Sequence, residues 1–403
     1  MTKKKIAAWL LCAAMLILTG CGAGSRAADA AAGSGSSQAA SAAASEPEQA
    51  ADQTARMPLT GAENTTGVSS RPLAITISNA PGAYVRQWGL ADASVVMEAL
   101  TEGKTTNLML WYDSIDAVPK VGPVSEGKDI FWQFALPENS LVAQRGSNTY
   151  AFNLLNCYAW QPLDALYTGV NCYDYDGSDP AMAAEYSWYT QGSTLRNGTA
   201  YYGLATEGDV PQWLHFGTAE AGNADAASLT VQYSATAWTQ LRYENGGYAM
   251  YRADGAAQCD ANSGIQASYR NVLVLYCSAG VKDDRYTRDY DLTGGQGLYL
   301  TDGTWQTITW KKGDAAAPLQ LFDADGNPLT VNTGKTYLSI YGGFAGQAIS
   351  LYDSTGTAVD TGLTAPAAMA TPVPTEAPTP DPAAAVTPDP AAATPDPAAQ
   401  PAA

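Results

Sequence analysis

Two long segments of this 403-residue chain, residues 21–69 and 356–403, are too poor in large apolar side chains to fold alone, which confines any core to the stretch between them. Residues 21–69 are dominated by Ala, Ser and Gly. Such a segment cannot bury enough surface to offset its ordering entropy and reads as a disordered spacer. Residues 356–403 read as a second disordered segment, with Thr-Pro-Asp-Pro recurring at Thr379, Thr387 and Thr394. Repeats of this kind favour extended polyproline conformations and build no core. A stiff arm, a wall-threading segment, a glycosylated stretch and a plain tail all fit it. Residues 70–355 remain, long enough for two domains with cores of their own.

Patterning changes within that stretch. In residues 70–205, Leu73 to Ser78 alternates as a half-buried strand and Asn107 to Tyr112 reads as a buried one. Leu90 to Leu100 has helical spacing, Ile130 to Leu136 predicts a second helix and Leu141 to Gln144 a strand. Asp179 to Tyr189 predicts a third helix, with Pro180 at its first position. These elements predict a layered α/β unit. Residues 206–227 read as a linker. In residues 228–355, strand-like runs begin at Leu229, Tyr248, Tyr269, Trp305 and Thr336. They are separated by the turn signals Asn245-Gly246-Gly247, Asp254-Gly255, Asp302-Gly303 and Asp325-Gly326-Asn327. This predicts a β-rich antiparallel domain, and the expected class is α+β, flanked by disordered tails.

The first twenty residues read as an address. Lys3, Lys4 and Lys5 precede an apolar run from Ile6 to Leu18, too short for a comfortable bilayer span and suited to a secretory signal. It ends in Leu18-Thr19-Gly20-Cys21, which resembles the lipobox of bacterial lipoproteins. Cleavage before Cys21 and acylation of its thiol (palmitate-type chains) would place at least two acyl chains in the membrane, enough for stable anchoring on the extracytoplasmic face. Loss of three lysines leaves 18 basic and 39 acidic residues, taking the formal charge from −18 to −21. Anionic headgroups repel such a body, so the lipid must hold it there. The same charge argues against nucleic acid as a partner, since phosphate neutralisation needs clustered Lys and Arg.

Several short motifs carry a family resemblance. Arg71-Pro72-Leu73-Ala74, Gly89-Leu90-Ala91-Asp92-Ala93, Glu98-Ala99-Leu100 and Val121-Gly122-Pro123-Val124 resemble the N-terminal part of the YerB-like lipoproteins. Tyr251-Arg252, Asn271-Val272-Leu273-Val274, Gly295-Gln296-Gly297, Trp310-Lys311-Lys312 and Gly334-Lys335-Thr336-Tyr337 are similar to that family's C-terminal part. The resemblance spans roughly residues 70–345 and implies a bacterial surface lipoprotein with a layered α/β unit followed by a β-rich unit. The family is a two-part domain of unknown function, so it implies architecture and almost no chemistry. The chain departs from it at Ser125-Glu126-Gly127-Lys128, where members carry a basic run, and at Ala143-Gln144-Arg145-Gly146-Ser147, where a His is replaced. It departs again at Asp179 to Glu185, where members hold Arg and Pro-His-Asn.

Candidate chemistry is sparse. Glu98 and Glu102 stand four residues apart, so on a helix they would share a face, and paired carboxylates can do acid/base work on a glycosidic bond. Helix-end solvation beside Gly103 explains them equally well. Arg145, followed by Ser147, could hold a carboxylate or phosphate bidentately, against the alternative of a structural ion pair. Asp174, Asp176 and Asp179 echo the alternating acids of a calcium loop but lack its spaced glutamate, as does Asp323-Ala-Asp325-Gly-Asn327, which reads as a hairpin turn. His215, the chain's one histidine, reads as structural. No metal centre or cofactor is expected, because no Gly-x-Ser-x-Gly elbow, phosphate loop or dinucleotide fingerprint occurs. Cys157, Cys172, Cys259 and Cys277 allow three pairings in an oxidising compartment, of which Cys157–Cys172 and Cys259–Cys277 respect the domain split. The surplus of aromatic residues suits a core and singles out no platform. The expectation is a lipid-anchored, non-enzymatic surface protein that binds a cell-wall polymer or envelope protein. The alternative is a carboxylate-based hydrolase or lyase acting on wall glycan.

Overall fold

The computed structural model describes residues 56–166, 171–222 and 224–370. The leader, Cys21 and the Thr-Pro-Asp-Pro repeats lie outside these residues. The first half supplies β1 (Leu73–Ser78), β2 (Val95–Glu102), β3 (Thr105–Tyr112), α1 (Asp129–Ala135), β4 (Leu141–Gln144), α2 (Thr149–Cys157) and β5 (Leu163–Asp164). It continues with the short pair β6 (Asp174–Tyr175) and β7 (Trp188–Tyr189), then α3 (Gly192–Tyr202). The second half is almost all strand. It begins with β8 (Ser228–Gln232), β9 (Trp238–Glu244), β10 (Gly247–Tyr251), β11 (Ser268–Tyr269), β12 (Asn271–Tyr276) and β13 (Gly294–Thr301). It ends with β14 (Thr304–Lys311), β15 (Gln320–Phe322), β16 (Thr336–Tyr341), β17 (Ala348–Tyr352) and β18 (Ala358–Val359). Strands predominate and helices are few.

One large sheet runs across both halves in the order β15-β14-β13-β12-β16-β2-β3-β1-β4-β5. A second sheet has the order β11-β10-β9-β8-β17-β18. The split expected near 205–228 is therefore crossed by hydrogen bonds: β16 lies parallel to β2, with Val95 opposite Thr336, and parallel to β12 on its other side. The second half is not purely antiparallel for the same reason. The expected linker is also part of the body, since Trp213 and Leu214 are buried and Trp213 meets Trp111 of β3 edge-on at 5.3 Å.

Strand alternation assigns the two faces of the large sheet. Leu73, Ile75 and Ile77 of β1, Val96 and Leu100 of β2, and Val272 and Val274 of β12 join one apolar cluster with Leu229, Val231, Leu241 and Leu351 of the second sheet. Ala74, Met97, Met109, Trp111, Leu273, Leu275, Leu338 and Ile340 point the other way, into a cluster with Ile130, Phe131 and Trp132 of α1 and Leu155 of α2. Alternate side chains of each central strand thus serve opposite clusters, as the period-two geometry of a strand requires.

This double burial explains the first correction. The helix expected over Leu90 to Leu100 is instead a turn leading into β2, because a strand covered on both faces loses its polar alternation and reads as a continuous apolar run. The helix expected from Asp179 to Tyr189 is a second correction. That stretch makes a turn, a short 3-10 segment at Ala184–Tyr186 and then β7. Its alanines favour helix, but Asp176 N–H donates to the Ser187 carbonyl at 2.8 Å, and β7 pairs with β6, so tertiary pairing overrides propensity. The strands expected at Leu73, Asn107, Leu141, Leu229, Tyr248, Trp305 and Thr336 and the helix expected at Ile130 are all present.

Order reaches past both expected edges of the body. Leu59, placed in the spacer, is fully buried against the α1 side of the large sheet, and Pro58 and Thr60 carbonyls accept from Trp213 and Gly334. At the other end, β18 forms within the expected tail, and Met369 N–H donates to the Ala279 carbonyl at 2.8 Å. Apolar anchors spaced through polar sequence are enough to dock such segments, although neither could fold alone.

The entry to α3 shows how closely the backbone packs. A Cβ at Gly192 would stand 2.1 Å from the Ile115 carbonyl oxygen. Backbone cannot yield as a side-chain tip does, so Gly192→Ala is expected to cost roughly 1–3 kcal/mol of stability. Chemical denaturation checks this, and an unchanged midpoint would refute it.

Candidate functional site

A second set of parallel strands is formed by β1, β4 and β5. Leu73 pairs with Leu141 and Ala143 with Leu163, all in one direction; α2 is the crossover from β4 to β5, and α1 leads from β3 into β4. In such sheets the loops leaving the carboxyl ends of the strands converge on a crevice. Two loops meet there. Arg145 N–H donates to the Ser125 carbonyl at 2.9 Å, and Gly127 N–H donates to the Gly146 carbonyl at 2.9 Å. Two of the stretches expected to depart from the family pattern are thus neighbours in space.

Buried polar groups fix this junction. Trp132 Nε1 donates to Gln144 Oε1 at 3.1 Å, and Gln144 Nε2 donates to Asp164 Oδ2 at 2.6 Å. Asp164 Oδ1 accepts the N–H groups of Gly146 and Leu166, both at 2.8 Å. Gly146 needs to be glycine, since its φ is +70° and a Cβ would press on the Leu166 side chain at 2.9 Å. Asn148 caps α2 by accepting from Ala151 N–H at 2.8 Å.

Arg145 emerges from this frame half-buried. Its guanidinium carbon lies 5.4 Å from the centre of the Trp188 ring, and Trp188 meets Tyr175 edge-on at 5.3 Å. Arg145 Nε and Asn148 Nδ2 are both buried with no hydrogen-bond partner. Ser147 is half-buried beside them and pairs with Gly127 in an isolated bridge. Tyr175 is 49% exposed, so the ring pair has an open side. A guanidinium with donors to spare beside an open aromatic pair is chemistry for holding a carboxylate that carries a ring or a sugar face.

Next to this cleft stands an ionic ridge. Lys128 Nζ contacts Glu102 Oε1 at 2.6 Å and also the Glu126 carboxylate. Burial alone would lower the Lys128 pKa, but the two carboxylates more than reverse it and hold the ammonium above its ordinary value. Lys282 Nζ continues the ridge, 3.0 Å from Asp129 and 2.8 Å from Asp289.

The two glutamates proposed as an acid/base pair do not form one. They sit on a strand, with a register shift between Leu100 and Glu102, not on one helical face. Glu98 is 1% exposed and sealed between the sheets. Its Oε1 accepts from Asn79 Nδ2 at 2.9 Å and Thr106 Oγ1 at 2.6 Å; its Oε2 accepts from Thr239 Oγ1 at 2.8 Å and Tyr337 Oη at 2.7 Å. Burial raises its pKa, and these four donors pull it back. Glu102 is committed to Lys128.

The acids of the calcium-like motif also go to separate partners. Asp176 Oδ2 lies 3.6 Å from Arg86, while its Oδ1 accepts Ser178 N–H at 3.0 Å; the Ser178 contacts hold its carboxyl below the usual range. Asp174 stands opposite Tyr189 in the β6–β7 pair, and Asp179 accepts from Ala181 N–H in an exposed turn. Among the described residues no three potential ligands gather around a common centre. Asp323 to Asn327 forms the expected tight turn, with Asp323 N–H donating to the Asn327 carbonyl at 2.9 Å. His215 is exposed and serves through its backbone carbonyl, which accepts from Val331.

Neither expected disulfide is formed. Cys157 ends α2 in the open, whereas Cys172 is buried against Gly198 of α3. Cys259 belongs to a bridge with Gln266 beside β10, whereas Cys277 follows β12 in the large sheet, where burial pushes its thiol pKa well up.

Sequence reasoning named Arg145 and Ser147 as candidates but did not single out Gln144, Asp164 or the Trp188–Tyr175 pair that surround them. The available signal was a polar Gln-Arg-Gly-Ser run directly after the three apolar residues of β4, Leu141 to Ala143.

Two family models match this chain. One, described as the N-terminal domain of a protein of unknown function (DUF3048), covers residues 59–204; the other, its C-terminal domain, covers residues 229–338. The Bacillus subtilis (strain 168) protein named "Putative lipoprotein YerB" is 26% identical over 295 residues, spanning 70% of this chain and 85% of that protein. The crystal structure of YerB protein from Bacillus subtilis is similar with a TM-score of 0.63 at 24% identity, covering 73% of this chain and 99% of that one, a likeness of fold. Together the two models span well over half of the sequence, and the chain belongs to the DUF3048 family, both parts of which it carries.

Proposed function

We propose that this protein is a lipid-anchored surface protein that binds an acidic component of the cell envelope through the Arg145 cleft, without catalysing a reaction. The anchor is supported by the basic, apolar and Leu-Thr-Gly-Cys pattern ending at Cys21, and by the relative named as a lipoprotein. No helix among the described residues is long and apolar enough to cross a membrane. The observation that carries the binding reading is Arg145 itself. Its Nε is buried without a partner at the carboxyl ends of parallel strands, beside the half-open Trp188–Tyr175 pair. A positive group held this way in an acidic protein selects a carboxylate or phosphate against the general repulsion of the surface. The hydrolase alternative loses its best acid, because a sealed Glu98 reaches no substrate.

The test uses the chain lacking residues 1–21 with purified cell walls, scoring both retention on the pellet and fragments released. Retention without fragments is expected, and Arg145→Ala should reduce it about tenfold, the scale of one charge-assisted bidentate contact. Unchanged retention in Arg145→Ala would remove the cleft from the reading. Released sugar or peptide fragments would replace binding with hydrolysis.

A further inference from the structure

A second site lies away from the Arg145 cleft and does not depend on it. The strap formed by residues 56–70 leaves a cavity of about 330 Å³ between itself, the segment following β3, α3 and residues 206–210. The strap is fixed at both ends of this space. Leu59 N–H donates to Asp113 Oδ1 at 3.0 Å, Gly208 N–H donates to the Ser69 carbonyl at 3.0 Å, and Arg71 N–H donates to the Thr206 carbonyl at 2.9 Å. The cavity is therefore part of the folded body, and its volume falls at the small end of the range for ligand pockets.

Its charges are arranged by depth. Asp113 is 6% exposed and forms the interior acid; each of its oxygens already accepts one hydrogen bond, from Leu59 N–H and Ser94 Oγ, and retains a lone pair for another donor. The outer lining carries Arg56, Arg196, Asp116 and Glu207, all exposed. Arg196 is engaged bidentately by Asp116, whereas Arg56 gives one donor to the Gly61 carbonyl and has others to spare. The lining also carries hydroxyl residues, among them Ser69, Ser70 and Ser114, and the buried apolar side chains of Ile115 and Val210. None of the described lining residues is aromatic, so the site offers no platform for a sugar ring or a base.

We propose that this cavity binds a short peptide with free termini, its ammonium group directed at Asp113 and its carboxylate at Arg56. An inner acid and an outer cation lining one cavity match a zwitterion. The hydroxyls suit a peptide unit, and Ile115 and Val210 suit small apolar side chains. An anion alone would be repelled by Asp113, and an uncharged ligand would gain neither ionic contact.

Titration of the full chain, in detergent, with alanyl-alanine tests this by calorimetry, alongside the N-acetyl and C-terminal amide derivatives. Saturable binding is expected for the free dipeptide, weakened at least about tenfold by blocking either end. Arg56→Gln should weaken the free dipeptide and leave the amide unaffected. Asp113→Asn, which keeps an acceptor for Leu59 N–H, should weaken the free dipeptide and leave the N-acetyl form unaffected. Arg56 lies on the surface, so its variant remains informative if the Asp113 variant folds poorly. Absence of saturation up to about 20 mM, the limit of weak specific binding, would overturn the proposal. Equal affinity for free and blocked peptides, or for wild type and Arg56→Gln, would overturn it equally.

Discussion

The unfolding free energy of Glu138→Gln, compared with wild type, is expected to gain on the order of 4–5 kcal/mol as pH rises from 4 to 9. Glu138 follows α1 and is 1% exposed, with Oε2 lacking any hydrogen-bond partner. Burial pushes its pKa up to about 8, and the nearby Lys312 offsets only part of that. A carboxyl whose folded pKa exceeds its unfolded one binds more protons when folded. Its presence therefore costs nothing below the unfolded value, and stability falls as pH climbs from about 4.5 to about 8. Glutamine cannot ionise and escapes this loss, whatever constant offset its amide brings.

Lys312 acts with the opposite sign in a higher window. Its Nζ donates to the carbonyls of Asp314 and Ala317 at 2.8 and 2.9 Å, yet burial lowers its pKa to about 8. The unfolded chain then binds the extra proton between about 8 and 10.5, so this group makes stability rise with pH there. Denaturant titrations of both proteins at a series of pH values separate the two groups. A constant wild-type-to-variant difference across pH would show that Glu138 stays charged in the fold.

Glu98→Ala should be the most damaging single change, at about 3–5 kcal/mol. It removes the acceptor for Asn79, Thr106, Thr239 and Tyr337 at once. The damage spreads, because Tyr337 Oη is within 2.8 Å of Tyr233 Oη, and Asn79 Oδ1 accepts from Gln87 and Gln258. These partners come from both halves of the sequence, so the carboxylate is a shared fixture between the two sheets. Glu98→Gln keeps the shape and lets hydroxyls reorient, so its cost should be about 1–2 kcal/mol, with wall retention unchanged. Loss of retention in a folded Glu98→Gln protein would restore a direct functional role. Thermal unfolding and the pellet assay together decide between these.

What was legible in the sequence depended on how many faces of an element are covered. The strand at Leu229 alternates because its residues 228, 230 and 232 are only half-buried, and its turn signals are explicit. β2 hid its nature because Val95 to Leu100 is buried on both faces, leaving Glu98 to look like one polar side of a helix. Arg145 stood out because a lone cation closes an apolar strand. Its context did not, since Asp164 and Trp188 arrive from distant segments and no periodicity in a single chain encodes that meeting. The outer limits of the body were missed for a related reason: Leu59 and Met369 are single anchors in otherwise polar, small-residue sequence, and composition averages them away.

The position of β16 bears on how the chain is made. It is among the last strands to be synthesised, yet it occupies the middle of the large sheet, between β12 and β2. A nascent or truncated chain ending before Thr336 leaves both of those neighbours with a bare row of N–H and C=O groups, the kind of edge that recruits other chains. Closure also requires pairing Val95 with Thr336 across most of the folded sequence, a slow, entropy-limited contact. The ribosome thus delivers the keystone last, and until it arrives neither family segment can complete the sheet it shares with the other.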